Sequence, residues 1–310
     1  MRTALIESLL ELAAQDDRIF LLTADLGWSV LERFAKAHPD RFLNVGVAEQ
    51  NMAGVATGLA RVGYVPFIYS IATFSSMRCY EQIRDGAALH QLPVRIVGIG
   101  GGYAYGHAGP THYALEDLTI TRTQPGITVI APADREQART AIGRSMHIPG
   151  PVYFRLDKNN QPPLDSLHGR FELDRPEVIR NGSHLLFLAT GSIAAEAMKA
   201  AKLLQQHGIS AGVAVQAHLP FSAPPALEEL LRQYRTVISV EEGFAAGGLG
   251  SLVAETIAQA DLRCELSIVG VKSLYSGVTG GTDYMRQQSG LDAESLCRKA
   301  QSLCRARIAA

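Results

Sequence analysis

Only four of the 310 residues are cysteine, Cys79, Cys264, Cys297 and Cys304, and no two stand at the paired spacing of a metal site. That removes a cysteine-built zinc centre and a disulfide framework, and leaves four reduced thiols. No apolar run reaches the roughly 18–20 residues of a membrane span. A basic run is also missing: 29 Lys and Arg, scattered along the chain, face 30 Asp and Glu, for a net charge of -1. Nothing here would follow a phosphate backbone, so no nucleic-acid partner is expected. The start, Met1-Arg2-Thr3-Ala4-Leu5-Ile6-Glu7, carries an acid where a secretion signal needs an apolar core. These absences predict a soluble cytoplasmic chain, with neither membrane nor nucleic acid as partner.

What the chain does have is 47% hydrophobic residues, enough for two cores at this length. Helical spacing of Ile6, Leu9, Leu10 and Ala13 precedes a β-rich run at 19–22. Further strands are predicted at 65–69, 94–99, 127–130 and 152–154, with helical patterns over 74–89 and 134–146 between them. Such alternation predicts a parallel sheet covered on both faces. The pattern stops from Lys158 to about Pro176, where Asn159, Asn160, Pro162, Pro163 and Gly169 mark a crossing between domains. It resumes with strands at 185–189, 213–215, 237–240 and 266–269, and a helix running from Gly191-Ser192 to Gln206. The fold class is therefore α/β, as two consecutive parallel-sheet domains: 1–165, a linker at 166–178, and 179–310. Gly247-Gly248-Leu249-Gly250-Ser251 predicts a tight turn into a helix. A glycine turn of that kind holds a phosphate or simply packs backbone, and packing is favoured because the dinucleotide fingerprint is incomplete.

The most specific stretch is Asn44-Val45-Gly46-Val47-Ala48-Glu49-Gln50-Asn51-Met52-Ala53-Gly54. Residues 44–47 read as the end of a strand, and from Ala48 onward small apolar residues without proline read as a buried helix. Glu49 then lies in the first turn, where the helix dipole favours an anion. A carboxyl held away from water favours a partner with which it shares a proton. A helix-start glutamate with no further role fits the same residues. Phe74, at the start of a helix after a strand, reads on its own as ordinary core. His112, after the glycine-rich loop 100–110 and Pro110-Thr111, reads on its own as a surface loop residue.

Taken in order, Gly46-Val47-Ala48-Glu49-Gln50, Phe74, Gly109-Pro110-Thr111-His112, Glu116-Asp117 and Ala131-Pro132-Ala133-Asp134 strongly resemble the C-terminal half of transketolases. That half is the pyrimidine-binding domain followed by the transketolase C-terminal domain, and the resemblance covers nearly the whole chain. It implies thiamine diphosphate chemistry and a transferase of carbohydrate metabolism. Glu49 matches the glutamate that bonds N1′ of the aminopyrimidine and exchanges the proton that activates the thiazolium C2. Phe74 matches the aromatic that stacks on the pyrimidine; an aromatic found one turn earlier in many relatives is Ile71 here. His112 matches the histidine that reaches the substrate carbonyl oxygen, where it donates as an alkoxide develops. Arg2, Ser29 and Arg155 fall at positions resembling the donor-phosphate contacts, a set suited to a dianion. His107 stands in the same loop where relatives often carry an acid. A phosphate-binding histidine of ordinary transketolases corresponds to Gly100, and the aspartate that reads a sugar α-hydroxyl corresponds to Ala108. The implied substrate is thus less hydroxylated than a pentose phosphate, or differently decorated.

One part is missing. Enzymes of this chemistry hold the diphosphate through Mg²⁺ on a Gly-Asp-Gly segment with later asparagines, and this chain has Asn159-Asn160 without that segment. The chain is expected to supply no metal ligand and to act as half of a split transketolase. Its partner would be a separate subunit resembling the N-terminal half, carrying most of the Mg²⁺ site, in a heterotetramer. The apolar surface around the Glu49 helix is expected to be the interface. Two alternatives share the pattern: the β subunit of a 2-oxoacid dehydrogenase E1 component, and a non-catalytic regulatory paralogue.

Overall fold

The computed structural model describes residues 1–158, 162–272 and 277–308 of the chain, so Asn159 and Asn160 lie outside the described residues. The first half alternates strands and helices: α1 (Arg2–Gln15), β1 (Ile19–Thr23), α2 (Glu32–Ala37), β2 (Phe42–Asn44), α3 (Glu49–Arg61) and β3 (Val65–Ile71). Next comes a helical stretch, 74–88, in which the short α4 (Tyr80–Gln82) is flanked by wide π-turns at Phe74–Arg78 and Ile83–Ala88. β4 (Arg95–Ile99), α5 (Asp117–Arg122), β5 (Thr128–Ile130), α6 (Arg135–Ser145) and β6 (Val152–Leu156) complete it. The six strands form one sheet in the order β2-β1-β3-β4-β6-β5, every neighbouring pair parallel.

Both faces of that sheet are buried, and neighbouring residues split between them with the period of two that a strand imposes. Leu21, Phe67, Val97 and Phe154 pack with Leu5 and Leu9 of α1 and Ile142 of α6. Leu22, Ile68, Ile96 and Tyr153 pack with Met52 and Ala56 of α3 and Ile83 and Ala87 of the wide-turn stretch. A glycine in the wide-turn stretch lets α3 lie close to it: a Cβ on Gly86 would come 2.5 Å from the Thr57 hydroxyl of α3.

The second half contains β7 (Glu177–Arg180), β8 (Leu185–Ala189), α7 (Ala194–Gln206), β9 (Ala211–Val215), α8 (Pro225–Arg232), β10 (Thr236–Phe244), α9 (Leu249–Gln259), β11 (Glu265–Val271), α10 (Thr282–Gln288) and α11 (Ala293–Ile308). Its sheet runs β11-β10-β8-β9-β7, and here the structure corrects the expectation of a purely parallel sheet. β7 pairs antiparallel with β9 at the edge, so the sheet is mixed. The physical reason is local. β7 enters straight from the connecting segment with no crossover helix before it, and an antiparallel edge strand needs none.

The glycine turn before α9 is packing. The buried Glu241 carboxylate accepts from the backbone N–H groups of Leu249 (3.0 Å) and Gly250 (2.9 Å), so the chain's own acid caps this helix start. Burial pushes that carboxyl above its usual range, and the two N–H donors oppose the shift.

Candidate active site at the carboxyl ends of the first sheet

In an open parallel sheet, ligands sit outside the carboxyl ends of the strands, where the strand order reverses. The reversal here lies between β1 and β3, and the predicted residues gather around it. β2 ends at Asn44, whose side-chain oxygen accepts from the N–H groups of Asp25 and Gly46, both at 3.0 Å. That holds the exit of β1 beside the turn at Gly46, whose φ of 76° belongs to glycine's region. The turn delivers Glu49 into the first turn of α3, with the residue only 2% exposed.

Glu49 has a partner that the sequence pattern does not reveal. Nη1 of Arg78 lies 2.8 Å from each of its carboxylate oxygens. The Arg78 guanidinium carbon also sits 4.0 Å from the centre of the Phe74 ring, stacked over its face. Phe74 also meets His112 edge-on, with ring centres 5.3 Å apart. The His112 loop is pinned there by Thr73, whose hydroxyl donates to the main-chain oxygens of His112 (3.3 Å) and Tyr113 (2.7 Å). Nδ1 of His112 is 2.8 Å from the Thr111 hydroxyl, which fixes the ring's orientation. Glu49, Phe74 and His112 are therefore brought together, joined through Arg78. The signal for Arg78 was its position four residues after Phe74 on one helical stretch, but only the wide π-turn sets its head on both groups.

The other predicted residues lie around this cluster. Arg2 and Ser29 line a groove of about 180 Å³ with Thr3, Ile6, Val30 and Arg33. Burial pushes the Tyr69 phenol well above its usual range, and the Arg2 charge opposes that shift. Lys158 places its ammonium 4.1 Å over the Tyr105 ring, and Tyr105 lies 6.3 Å from His112 between ring centres. Burial, and then the Arg2 charge, push the Lys158 ammonium below its usual range. Tyr105 also explains Gly100: with φ 77°, a side chain there would run into the Tyr105 ring. His107 and Ala108 are exposed in the loop, His107 against Gly281. Ile71 is buried in β3.

Arg155 is not in the cluster. Its guanidinium is buried, with Nε 3.3 Å from Asp117 and Nη2 donating to the main-chain oxygens of Ala114 (2.9 Å) and Glu242 (2.5 Å). It thereby ties the first half of the chain to the second. Among the described residues no group of three or more His, Cys, Asp or Glu stands where it could hold a metal ion. No described helix is long and apolar enough to cross a membrane.

Comparison with known proteins gives one consistent answer. Residues 1–163 match the description "Transketolase, pyrimidine binding domain" and residues 175–296 match "Transketolase, C-terminal domain". The 6-deoxy-6-sulfo-D-fructose transketolase subunit SqwH of Clostridium sp. (strain MSTE9) is 37% identical over 305 residues, which cover 98% of this chain and 94% of that protein. An apulose-4-phosphate transketolase subunit of Phocaeicola vulgatus is 33% identical over 301 residues, covering 96% of both. A solved structure described as "Split gene transketolase, inactive beta4 tetramer" superposes with a TM-score of 0.84 at 34% identity, covering 97% of this chain and 96% of that one.

Proposed function

The chain belongs to the transketolase family, and from that premise we propose that it is one subunit of a split, thiamine diphosphate-dependent transketolase. In this reading it moves a two-carbon ketol unit from a ketose-type donor to an aldehyde acceptor. One observation carries the proposal. At the carboxyl end of the sheet, a planar N–H-bearing group (the Arg78 guanidinium) stacks on Phe74 while donating to the buried Glu49. An aminopyrimidine asks for the same two things, an aromatic face and a carboxyl, so these residues fit the cofactor. When bound, thiamine diphosphate supplies the nucleophilic centre and electron sink of the reaction.

This chain's residues would do the rest. Phe74 orients the pyrimidine by stacking. Glu49, shielded from water, holds a proton at N1′. His112, oriented through Thr111, donates to the substrate's carbonyl oxygen. Arg2 and Ser29, with Arg33 in the same groove, meet the substrate's terminal anion. Arg155 reaches that anion only by giving up its internal partners. The exposed Ala108 and His107 face a substrate whose α-hydroxyl is missing or altered. The sulfo-sugar and apulose phosphate in the names of two relatives support that direction.

The diphosphate and its Mg²⁺ would be held mainly by a second subunit resembling the N-terminal half of transketolases, in a cytoplasmic heterotetramer. The end-to-end match to two proteins named as transketolase subunits supports this. Trp28 and Val47, 76% and 73% exposed near the site, are apolar surface that such a partner would cover. The test is to purify the chain with that partner and offer a ketose with an aldehyde, and separately a 2-oxo acid with a dye acceptor. Ketol transfer is the expected result. Dye reduction by the 2-oxo acid would instead mark a 2-oxoacid dehydrogenase E1-type β subunit, and no turnover of either a non-catalytic paralogue.

A further inference from the structure

We propose that Arg78 is a latch: it fills the pyrimidine seat of the unloaded subunit and has to swing out before the cofactor ring enters. The inference rests on the proposed roles of Glu49 and Phe74. Two contacts define the seat, and one side chain makes both. Nη1 of Arg78 bridges the two Glu49 oxygens at 2.8 Å, and the guanidinium carbon lies over the Phe74 ring, 4.0 Å from its centre. A ring that stacks on Phe74 and bonds Glu49 needs that same carboxylate and that same face. Occupancy by Arg78 and by the ring is mutually exclusive.

The latch is built to hold and to release. With Arg78 in place the Glu49 side chain is 1% exposed, and Arg78 donates to both of its oxygens. The Arg78 side chain is 42% exposed and reaches in from the last residue of the Phe74–Arg78 π-turn, so its head has open solvent to move into. Wide turns of this kind concentrate at functional sites. An ion pair with one exposed arm and a half-exposed cation–π contact are each modest interactions. Their joint loss is what the entering ring has to offset, which lowers apparent cofactor affinity by about tenfold, in proportion to the population of the open form.

The test compares wild type with Arg78→Met, each assembled with the partner subunit, by calorimetric titration with thiamine diphosphate and Mg²⁺. The variant is expected to bind about tenfold more tightly, since nothing has to be displaced. A purely structural role for Arg78 would not raise affinity. Equal or weaker binding by Arg78→Met, with wild type binding normally, overturns the latch alone. No binding by either protein overturns the proposed function, and the latch with it. If Arg78→Met does not fold, Arg78→Lys keeps the charge but loses the planar face; it is expected to bind more tightly than wild type by a smaller factor, and equal or weaker binding overturns the proposal. A second readout needs no cofactor. In the isolated chain Arg78→Met should lower Tm, and Glu49→Gln should erase most of that loss. Additive effects of the two substitutions would contradict the pairing.

Discussion

Arg155→Met keeps most of the side chain's length and removes its charge. The wild-type guanidinium stands 3.3 Å from Asp117, a residue with no exposure, and donates to the carbonyls of Ala114 and Glu242. Asp117 also accepts from the Tyr153 hydroxyl at 2.7 Å, and its other oxygen has no hydrogen-bond partner among the described residues. Breaking a buried pair from one side costs about 3–5 kcal/mol, because the remaining charge stays buried. The Glu242 carbonyl also loses this donor, while the Ala114 carbonyl keeps the Gly102 N–H at 2.8 Å, and relaxation takes part of the cost back, so about 4 kcal/mol is expected at neutral pH. The pH dependence has a definite sign. Burial raises the Asp117 carboxyl above its usual range, and Arg155 opposes that shift. A raised pKa means the group's favourable contribution is present below the unfolded value and lost as pH rises through the folded one. Without Arg155 the carboxyl rises further, so the variant's deficit is largest in alkaline buffer and shrinks on acidification, as Asp117 protonates. Chemical denaturation of both proteins across a pH series measures this. A deficit under about 1 kcal/mol, or one that grows on acidification, refutes the reasoning. If Arg155 instead served mainly to bind a substrate anion, KM would rise with stability unchanged.

Three further outcomes are expected. In the assembled complex, Glu49→Gln keeps shape but cannot exchange a proton, and hydrogen–deuterium exchange at the cofactor C2 should slow by about 10²–10⁴-fold; exchange near the wild-type rate would remove Glu49 from the mechanism. Ala108→Asp should shift kcat/KM toward a hydroxylated over a deoxy sugar phosphate, since a site built for a hydroxyl discriminates by up to about 10⁴–10⁵; an unchanged ratio would show that Ala108 is not a specificity position. Gly86→Ala puts a Cβ 2.5 Å from the Thr57 hydroxyl and should cost about 1–3 kcal/mol, with Thr57→Ala recovering part of it. Denaturation of the single and double variants checks the last, and no recovery in the double variant counts against that contact as the cause.

Most strands were legible because buried parallel strands leave continuous apolar runs, and 19–22, 65–69, 152–154 and 185–189 all fall inside observed strands. β2, however, ends at Asn44, and residues 45–47, read as strand, lie beyond it. β7 was not legible, because Glu177-Val178-Ile179-Arg180 is too short and too charged at its ends to stand out from a linker. α8 opens with a proline, and it hid among loop residues although Leu227, Leu230 and Leu231 are buried. Phe74 and His112 stood out only through the resemblance, and their meeting with Glu49 follows from parallel strands ending on one side. Arg78 was not legible, since a polar residue on a helix has no mark until the wide turn aims it. Gly100 read as a lost histidine, whereas in the fold it is the space the Tyr105 ring needs. Arg155 resembles a donor-phosphate contact in sequence, and only packing of the two halves reveals its internal partners.

The central claim is that this chain contributes the pyrimidine side of a site completed by another subunit. Calorimetric titration with thiamine diphosphate and Mg²⁺, on the isolated chain and on the chain assembled with its partner, tests it most directly. Weak or no binding by the isolated chain and tight, Mg²⁺-dependent binding by the assembly are expected. Tight, metal-dependent binding by the isolated chain would contradict it.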